Sequence, residues 1–245
     1  MTLPKAILFD LDDTILSFDN ASELALKKCC DDFISVNNVT FDSDMLQNKF
    51  KETRNWYWSD SKRNIIGREN MLNARCEVFQ YTLEKLNFFD EAKIYEIADT
   101  YSNLQESFWS LFDDTAEALD IIKSLKIRMT IVTNGASQTQ RGKLERFNLN
   151  DYFEQVIIDT EVGYSKPDIR IYEIALEKMA LSPKEVWMTG DNIIWDVEAP
   201  QKLGIYSIWN DFKKKGLSEN QIIIPDKIVF SVYELSQELL NIYFD

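Results

Sequence analysis

Apolar residues recur at helical spacing through the first half of the chain. Leu72, Cys76, Phe79, Leu83 and Leu86 step by four, three, four and three residues, and Ile94, Ala98, Tyr101, Leu104, Phe108 and Leu111 repeat the stripe. Leu26, Cys29, Cys30 and Phe33 mark another apolar face upstream. Between Ser17 and Phe112 there is one glycine, Gly67, and no proline, so the usual helix breakers are almost missing. Residues 17–111 are therefore predicted to form an all-helical insert. Elsewhere the pattern alternates. Short apolar or β-branched runs at 6–9, 129–132, 155–158, 186–188, 206–209 and 227–230 predict strands. Helical patterns fall between them at about 115–125, 137–147, 168–180, 194–203 and 233–243. Strands alternating with single helices imply βαβ units and a parallel sheet covered on both faces. The predicted fold is a doubly wound α/β core built from residues 1–16 and 112–245, interrupted after its first strand by a helical cap, residues 17–111.

Composition narrows the partners. Hydrophobic residues make up 45% of the chain and charged residues 28%, the balance of a globular protein able to bury a full core. Lys and Arg number 27 against 41 Asp and Glu, a formal charge of -14. Such a surface repels phosphate backbones and anionic lipid, so neither a nucleic-acid polymer nor a membrane is an expected partner. No run approaches the roughly 18 apolar residues of a membrane span, and a cytoplasmic monomer is expected. Cys29, Cys30 and Cys76 fit no zinc spacing and read as reduced core residues. The chain has no histidine, which removes Ser-His and Cys-His nucleophile systems and histidine-containing zinc sites. Chemistry must then run on carboxylates, lysine, hydroxyls, backbone amides or a hard metal.

Open α/β sheets bind ligands beyond the carboxyl ends of their strands, and those ends carry a distinctive set of residues. The first predicted strand leads into Asp10-Leu11-Asp12-Asp13-Thr14, the second into Thr133-Asn134-Gly135, and the fourth into Thr189-Gly190-Asp191-Asn192, with Asp196 five positions after Asp191. Gly163-Tyr164-Ser165-Lys166-Pro167 follows the third strand and opens a helix. Asp10 and Asp12, two apart on an extended strand, are expected to face one site. With Asp191 they gather enough negative charge to require a cation, and oxygen-only ligation points to Mg²⁺ completed by water and a substrate phosphate. Thr133, backbone N–H groups near Asn134 and Gly135, and Lys166 are suited to phosphate oxygens. One aspartate can act as a covalent nucleophile and a second, crowded by its neighbour, as general acid and then base. No GxGxxG follows a strand and no GxxxxGK[ST] occurs, so nicotinamide and P-loop chemistry find no support.

The motifs FDLDDT at 9–14, VTNG at 132–135, SKP at 165–167 and GDNIIWD at 190–196 resemble those of the haloacid dehalogenase-like hydrolase superfamily, in order and spacing, over essentially the whole chain. The resemblance implies Asp10 as nucleophile and Asp12 as acid/base. It implies Thr133, Asn134 and Lys166 at the phosphate, and Asp10, Asp191 and the backbone carbonyl of Asp12 at Mg²⁺, with Asp196 in support. The segment 132–177 and IWND at 208–211 further resemble the pyrimidine 5′-nucleotidase branch, which implies a nucleoside 5′-monophosphate as the small phosphorylated substrate. A phosphatase for phosphoglycolate or a sugar phosphate is the alternative. A phosphomutase shares all four motifs. A 2-haloacid dehalogenase is disfavoured because that branch lacks the second carboxylate, here Asp12. A non-catalytic binding protein would be expected to have lost one of these groups. Ser17, Phe18, Trp56 and Trp58 are candidates for substrate contact, the tryptophans by stacking on a base. Trp56, Tyr57 and Trp58 equally fit a role as cap filling, and the cap arginines Arg54, Arg63, Arg68 and Arg75 read mostly as solvated surface, with one of them reaching the substrate as the alternative.

Overall fold

The computed structural model describes residues 2–244. Its chain divides into two units, Phe18–Ser110 and the flanking segments that end at Ser17 and resume at Leu111.

The inserted unit holds five helices, α1 (Phe18–Val36), α2 (Ser43–Ser59), α3 (Ser61–Glu69), α4 (Met71–Glu84) and α5 (Glu91–Ser107). Acidic and amide side chains, in place of glycine and proline, start and stop them. Asp42 accepts from the Met45 N–H, Asp60 from those of Lys62 and Arg63, Asn70 from that of Asn73 and Asp90 from that of Lys93. Each satisfies a backbone donor that the first helical turn leaves open. The apolar stripes meet in one core. Phe50, Phe79 and Tyr101 pack tilted or edge-to-face against one another, with centroids 4.5, 5.3 and 5.8 Å apart. Cys29 and Cys30 are buried in this core, and burial pushes the Cys29 thiol up to about 12 and the Cys30 thiol in the same direction. The α5 stripe ends at Phe108. Leu111 belongs to the flanking unit, where it forms an isolated bridge with Leu16.

The flanking unit is built on a six-stranded parallel sheet: β1 (Ala6–Phe9), β2 (Arg128–Thr133), β3 (Gln155–Ile158), β4 (Val186–Gly190), β5 (Tyr206–Asn210) and β6 (Lys227–Val229). The strand order is β3-β2-β1-β4-β5-β6. Its helices are α6 (Thr115–Ser124), α7 (Ser137–Arg146), the single turn α8 (Asp159–Val162), α9 (Ile169–Met179), the short α10 (Ala199–Gln201) and α11 (Val232–Phe244). This is the doubly wound architecture expected. All four residues of β1 are buried, as a central strand covered on both faces requires, and Phe9 pairs with Ile131 on one side and Thr189 on the other. The chain winds outward from β1 in both directions, so β1 and β4 flank the point where the strand order reverses and a crevice opens. One predicted helix differs. Residues 194–203 do not form a single helix: Ile193–Glu198 make a π-helical turn, and α10 begins afresh with Pro200 in its first turn, where no N–H is needed. No helix among the described residues is long and apolar enough to cross a membrane.

The aromatic triad sets an expectation for the insert. Phe79→Ala should remove a fully buried ring in contact with two others, costing about 3–5 kcal/mol in urea denaturation. Tyr81→Ala, at a position 41% exposed, should cost far less.

Candidate active site

Directly after β1, the Asp10 N–H donates to the Thr189 carbonyl of β4 at 2.9 Å, fixing the exit of the strand. The chain then turns sharply. The Ile15 and Leu16 N–H groups both donate to the Leu11 carbonyl at 3.0 Å, and Asp13 adopts a left-handed conformation with φ 57°, which aspartate tolerates better than most residues. The expected strand alternation does not extend to Asp10 and Asp12, because β1 ends at Phe9. The turn gives their side chains different ion-pair partners, Lys166 for Asp10 and Lys143 for Asp12, although the charge of Asp12 still acts on Asp10.

Asp10 is buried and pairs with the ammonium of Lys166 at 2.8 Å. Lys166, itself 2% exposed, pairs also with Asp196 at 2.7 Å. The Lys166 backbone is gripped by the Asn134 side chain. Asn134 Nδ2 donates to the Lys166 carbonyl at 2.9 Å, and the Lys166 N–H donates to Asn134 Oδ1 at 2.8 Å. The end of β2 thus holds the lysine loop in place beside the end of β1.

The end of β4 supplies the remaining carboxylates through an unusual local fold. Asn192 caps the π-helical turn, its Oδ1 accepting from the Ile194 and Trp195 N–H groups at 3.0 and 3.1 Å. The turn folds Asp196 back under the strand, where its Oδ2 accepts from the Asn192 N–H at 3.0 Å. The approach is close: a Cβ on Gly190 would sit 2.2 Å from Asp196 Cγ, so only glycine fits there. The Asp191 carbonyl accepts from the Trp209 indole at 2.8 Å, tying this loop to β5. Carboxylate oxygens of Asp10, Asp191 and Asp196 lie within 4.8 Å of one another.

Three carboxylates face one ammonium, and the imbalance shows in their protonation. Burial pushes Asp10 up to about 7 although Lys166 opposes the shift, and burial with the charges of Asp10, Asp196 and Asp13 pushes Asp191 up to about 8. Burial alone would lower Lys166, but Asp10 and Asp196 outweigh it and hold the ammonium above its usual range. Tyr172, whose hydroxyl donates to the Trp195 carbonyl, is likewise raised by burial beside Asp196 and Asp10. An oxygen-rich, negatively charged pocket of this kind fits a hard divalent cation and disfavours softer metals.

Asp12 belongs to a second network. Lys143 Nζ donates to both of its carboxylate oxygens, at 2.6 and 2.8 Å, and to Gln140 Oε1 at 2.7 Å. The Gln140 amide donates to Asp12 at 3.0 Å and to the Thr133 hydroxyl at 2.8 Å. Gln140 and Lys143 come from α7, where they share the buried face with Leu144. Neither is among the residues the strand ends suggest. Their one trace in the sequence is a glutamine and a lysine three apart, on one face of the helix that follows VTNG. Gly135, also singled out by the motif, gives its N–H to Asp159 Oδ1 at 2.8 Å.

The insert candidates are spread over several surroundings. Ser17 and Phe18 stand at the boundary of the two units. Trp56 is 44% exposed, with the Arg63 guanidinium 4.0 Å above its ring. Trp58 packs edge-on to the buried Tyr57 at 5.2 Å and so close to Gly67 that a Cβ there would meet it at 2.9 Å. Tyr57 and Trp58 are thus part of the helical core. Arg75 is partly buried, its guanidinium bonded to Gln105 and 5.5 Å from the Tyr101 ring centroid.

A family model described as haloacid dehalogenase-like hydrolase matches residues 4–204. The chain is 28% identical over 234 residues to the pyrimidine 5′-nucleotidase YjjG of Escherichia coli, covering 95% of this chain and 96% of that one. It is 28% identical over 207 residues to the glyceraldehyde 3-phosphate phosphatase of Methanothermobacter thermautotrophicus, covering 83% of this chain and 84% of that one. Among solved structures, the magnesium-bound HAD-hydrolase YfnB of Bacillus subtilis superposes with a TM-score of 0.74 at 22% identity, covering 98% of this chain and 99% of that one.

The raised carboxylates fix the sign of a pH dependence. With folded values of about 7 and about 8 against ordinary values near 3.8, Asp10 and Asp191 hold more protons folded than unfolded. The stability they contribute is present at acid pH and lost as pH rises through about 7 to 8. In chelator, the thermal midpoint should therefore fall between roughly pH 5.5 and pH 8.5. Asp191→Asn should flatten that fall.

Proposed function

Because the chain belongs to the haloacid dehalogenase-like hydrolases, we propose that it hydrolyses small phosphomonoesters through an aspartyl-phosphate on Asp10, with Mg²⁺ as cofactor. The observation that carries this reading is the gathering of Asp10, Asp191 and Asp196 around a single buried ammonium. A dianionic phosphate approaching ionised carboxylates is repelled, and a bound cation offsets that repulsion. Asp12, the second carboxylate, argues for phosphoryl rather than carbon chemistry.

Asp10, Asp191 and the backbone carbonyl of Asp12 are the groups proposed to hold Mg²⁺, with Asp196 supporting them through Lys166. The bound ion would neutralise the carboxylates and draw charge from the phosphate oxygens. Thr133, the backbone beside Asn134 and Lys166 bind and orient the phosphoryl group. Asp10 attacks phosphorus as the bond to the leaving oxygen breaks, and Asp12 donates a proton to that oxygen. Water then attacks phosphorus, Asp12 takes its proton, and the bond to Asp10 breaks to release inorganic phosphate. Lys166 keeps the Asp10 carboxylate aligned while its charge is spent on phosphorus.

For the substrate, we favour nucleoside 5′-monophosphates, pyrimidine ones first. The near full-length likeness to a pyrimidine 5′-nucleotidase supports this reading. The likeness to glyceraldehyde 3-phosphate phosphatases supports a triose phosphate as the second reading. The enzyme is proposed to act as a cytoplasmic monomer without polymeric partners.

Asp10→Asn should leave the fold intact and lower turnover by about 10³-fold or more, since the amide is a far poorer nucleophile. Chelation should silence phosphate release and Mg²⁺ restore it, with Ca²⁺ serving poorly because its looser shell misplaces the in-line attack. Turnover of a haloacid in chelator would overturn the phosphatase reading. A separate panel of UMP, dTMP, AMP, glyceraldehyde 3-phosphate and phosphoglycolate reads the substrate. We expect a pyrimidine nucleotide to lead in kcat/KM. A triose or glycolate phosphate exceeding every nucleotide by about tenfold, a gap of about 1.4 kcal/mol in transition-state binding, would favour the second reading.

A further inference from the structure

Helix α7 carries two side chains that the four motifs do not include and that both end on Asp12. The Lys143 side chain is 1% exposed, a burial that costs free energy unless the charge is paired. Its ammonium makes a two-oxygen bond to the Asp12 carboxylate and a third bond to Gln140. Gln140, also buried, uses its amide to bridge Asp12 and the Thr133 hydroxyl. Its place is built from the other side as well. A Cβ on Gly135 would lie 3.0 Å from Gln140 Cδ, so the backbone at 135 packs directly on this amide. The surroundings therefore dictate where Asp12 points, and the turn that carries it does not have to.

The geometry points to Lys143 and Gln140 as positioning residues that aim the Asp12 carboxylate and lock it to Thr133. The inference rests on the phosphatase reading, in which Asp12 exchanges a proton with the leaving oxygen and then with water. A carboxylate on a turn is free to rotate about two side-chain bonds, and proton transfer needs it within hydrogen-bond reach of one atom. Lys143 holds both oxygens at once, which fixes the plane of the carboxylate as well as its direction. Gln140 couples that plane to the hydroxyl proposed to grip the phosphate, so that the acid and the phosphoryl group keep a constant spacing. α7 makes this coupling because residues three apart lie on one helical face.

The leaving group separates aiming from general support of the fold. The nucleoside leaves UMP as an alkoxide that needs a proton, whereas p-nitrophenyl phosphate loses a stable phenolate that needs none. With Mg²⁺, Lys143→Met should lower kcat for UMP by about 10²-fold, with KM changed by less than about threefold. The rapid burst of p-nitrophenol, which reports transfer to Asp10, should stay within about threefold of wild type. Lys143→Arg should recover most of the loss on UMP. In an Asp12→Asn background, Lys143→Met should add little, because the group it aims is gone. An equal fall of the burst and of UMP turnover, or a full additional loss in the Asp12→Asn background, would overturn the inference while leaving the phosphatase reading in place. Absence of both p-nitrophenol and inorganic phosphate from the wild-type protein would overturn the reading itself. If Lys143→Met does not fold, Gln140→Met, which keeps the ammonium, should show the same split at about tenfold.

Discussion

One buried ammonium holds the carboxyl end of the sheet together. Lys166 lies between Asp10 and Asp196, with Asp191 close by, and burying these charges is costly unless the ammonium is placed to pair with them. Much of the surrounding backbone reads as a means to that placement. Asn134 clamps the lysine's own peptide groups, and Asn192 caps the π-helical turn that brings Asp196 back. Gly190 gives up a side chain so that Asp196 can lie against the strand. The ends of β1, β2 and β4 converge on this point because the sheet reverses its winding between β1 and β4, where the crevice is a property of the topology.

Most of this framework is legible in the sequence, for identifiable reasons. The central strands are short, unbroken apolar runs, so the polar residues that end them stand out. Asp10, Asp191, Asp196, Lys166 and Thr133 all fall at strand ends or in the turns and loops that follow them, where a reader of strand ends looks. The helical insert is equally plain from its stripes, although its helix boundaries are less so, because Asp42, Asp60, Asn70 and Asp90 set them and each looks like an ordinary surface residue. What escapes is contact across sequence distance. Gln140 and Lys143 sit on a helix whose polar residues pass for a solvated face, and only the packed structure turns that face inward. The direction of Asp12 escapes too, since alternation along a strand says nothing once the strand has ended. The π-helical turn has a helical sequence pattern and differs only in its hydrogen bonding.

The aromatic cluster in the insert illustrates the limit from the other side. Three consecutive aromatic residues invite a binding role, yet they divide between functions that composition cannot separate. Tyr57 and Trp58 build the core around Gly67, while Trp56 lies outside beneath the Arg63 guanidinium. Arg75 reverses the lesson, reading as a surface cation and lying partly buried against Tyr101 and Gln105. In both cases the helical period assigns a face, and the neighbouring helices decide what that face meets.

The bond from the Trp209 indole to the Asp191 carbonyl makes the site optically visible from within. Indole emission shifts with the electric field along its ring, and this buried ring is bonded to the backbone of Asp191, whose carboxyl is raised to about 8 and so changes charge in the neutral to mildly alkaline range. The chain thus contains its own chromophore for the electrostatic state of the pocket. Because the indole donates to the backbone and not to the carboxylate itself, it can follow that state without competing for the oxygens that define it.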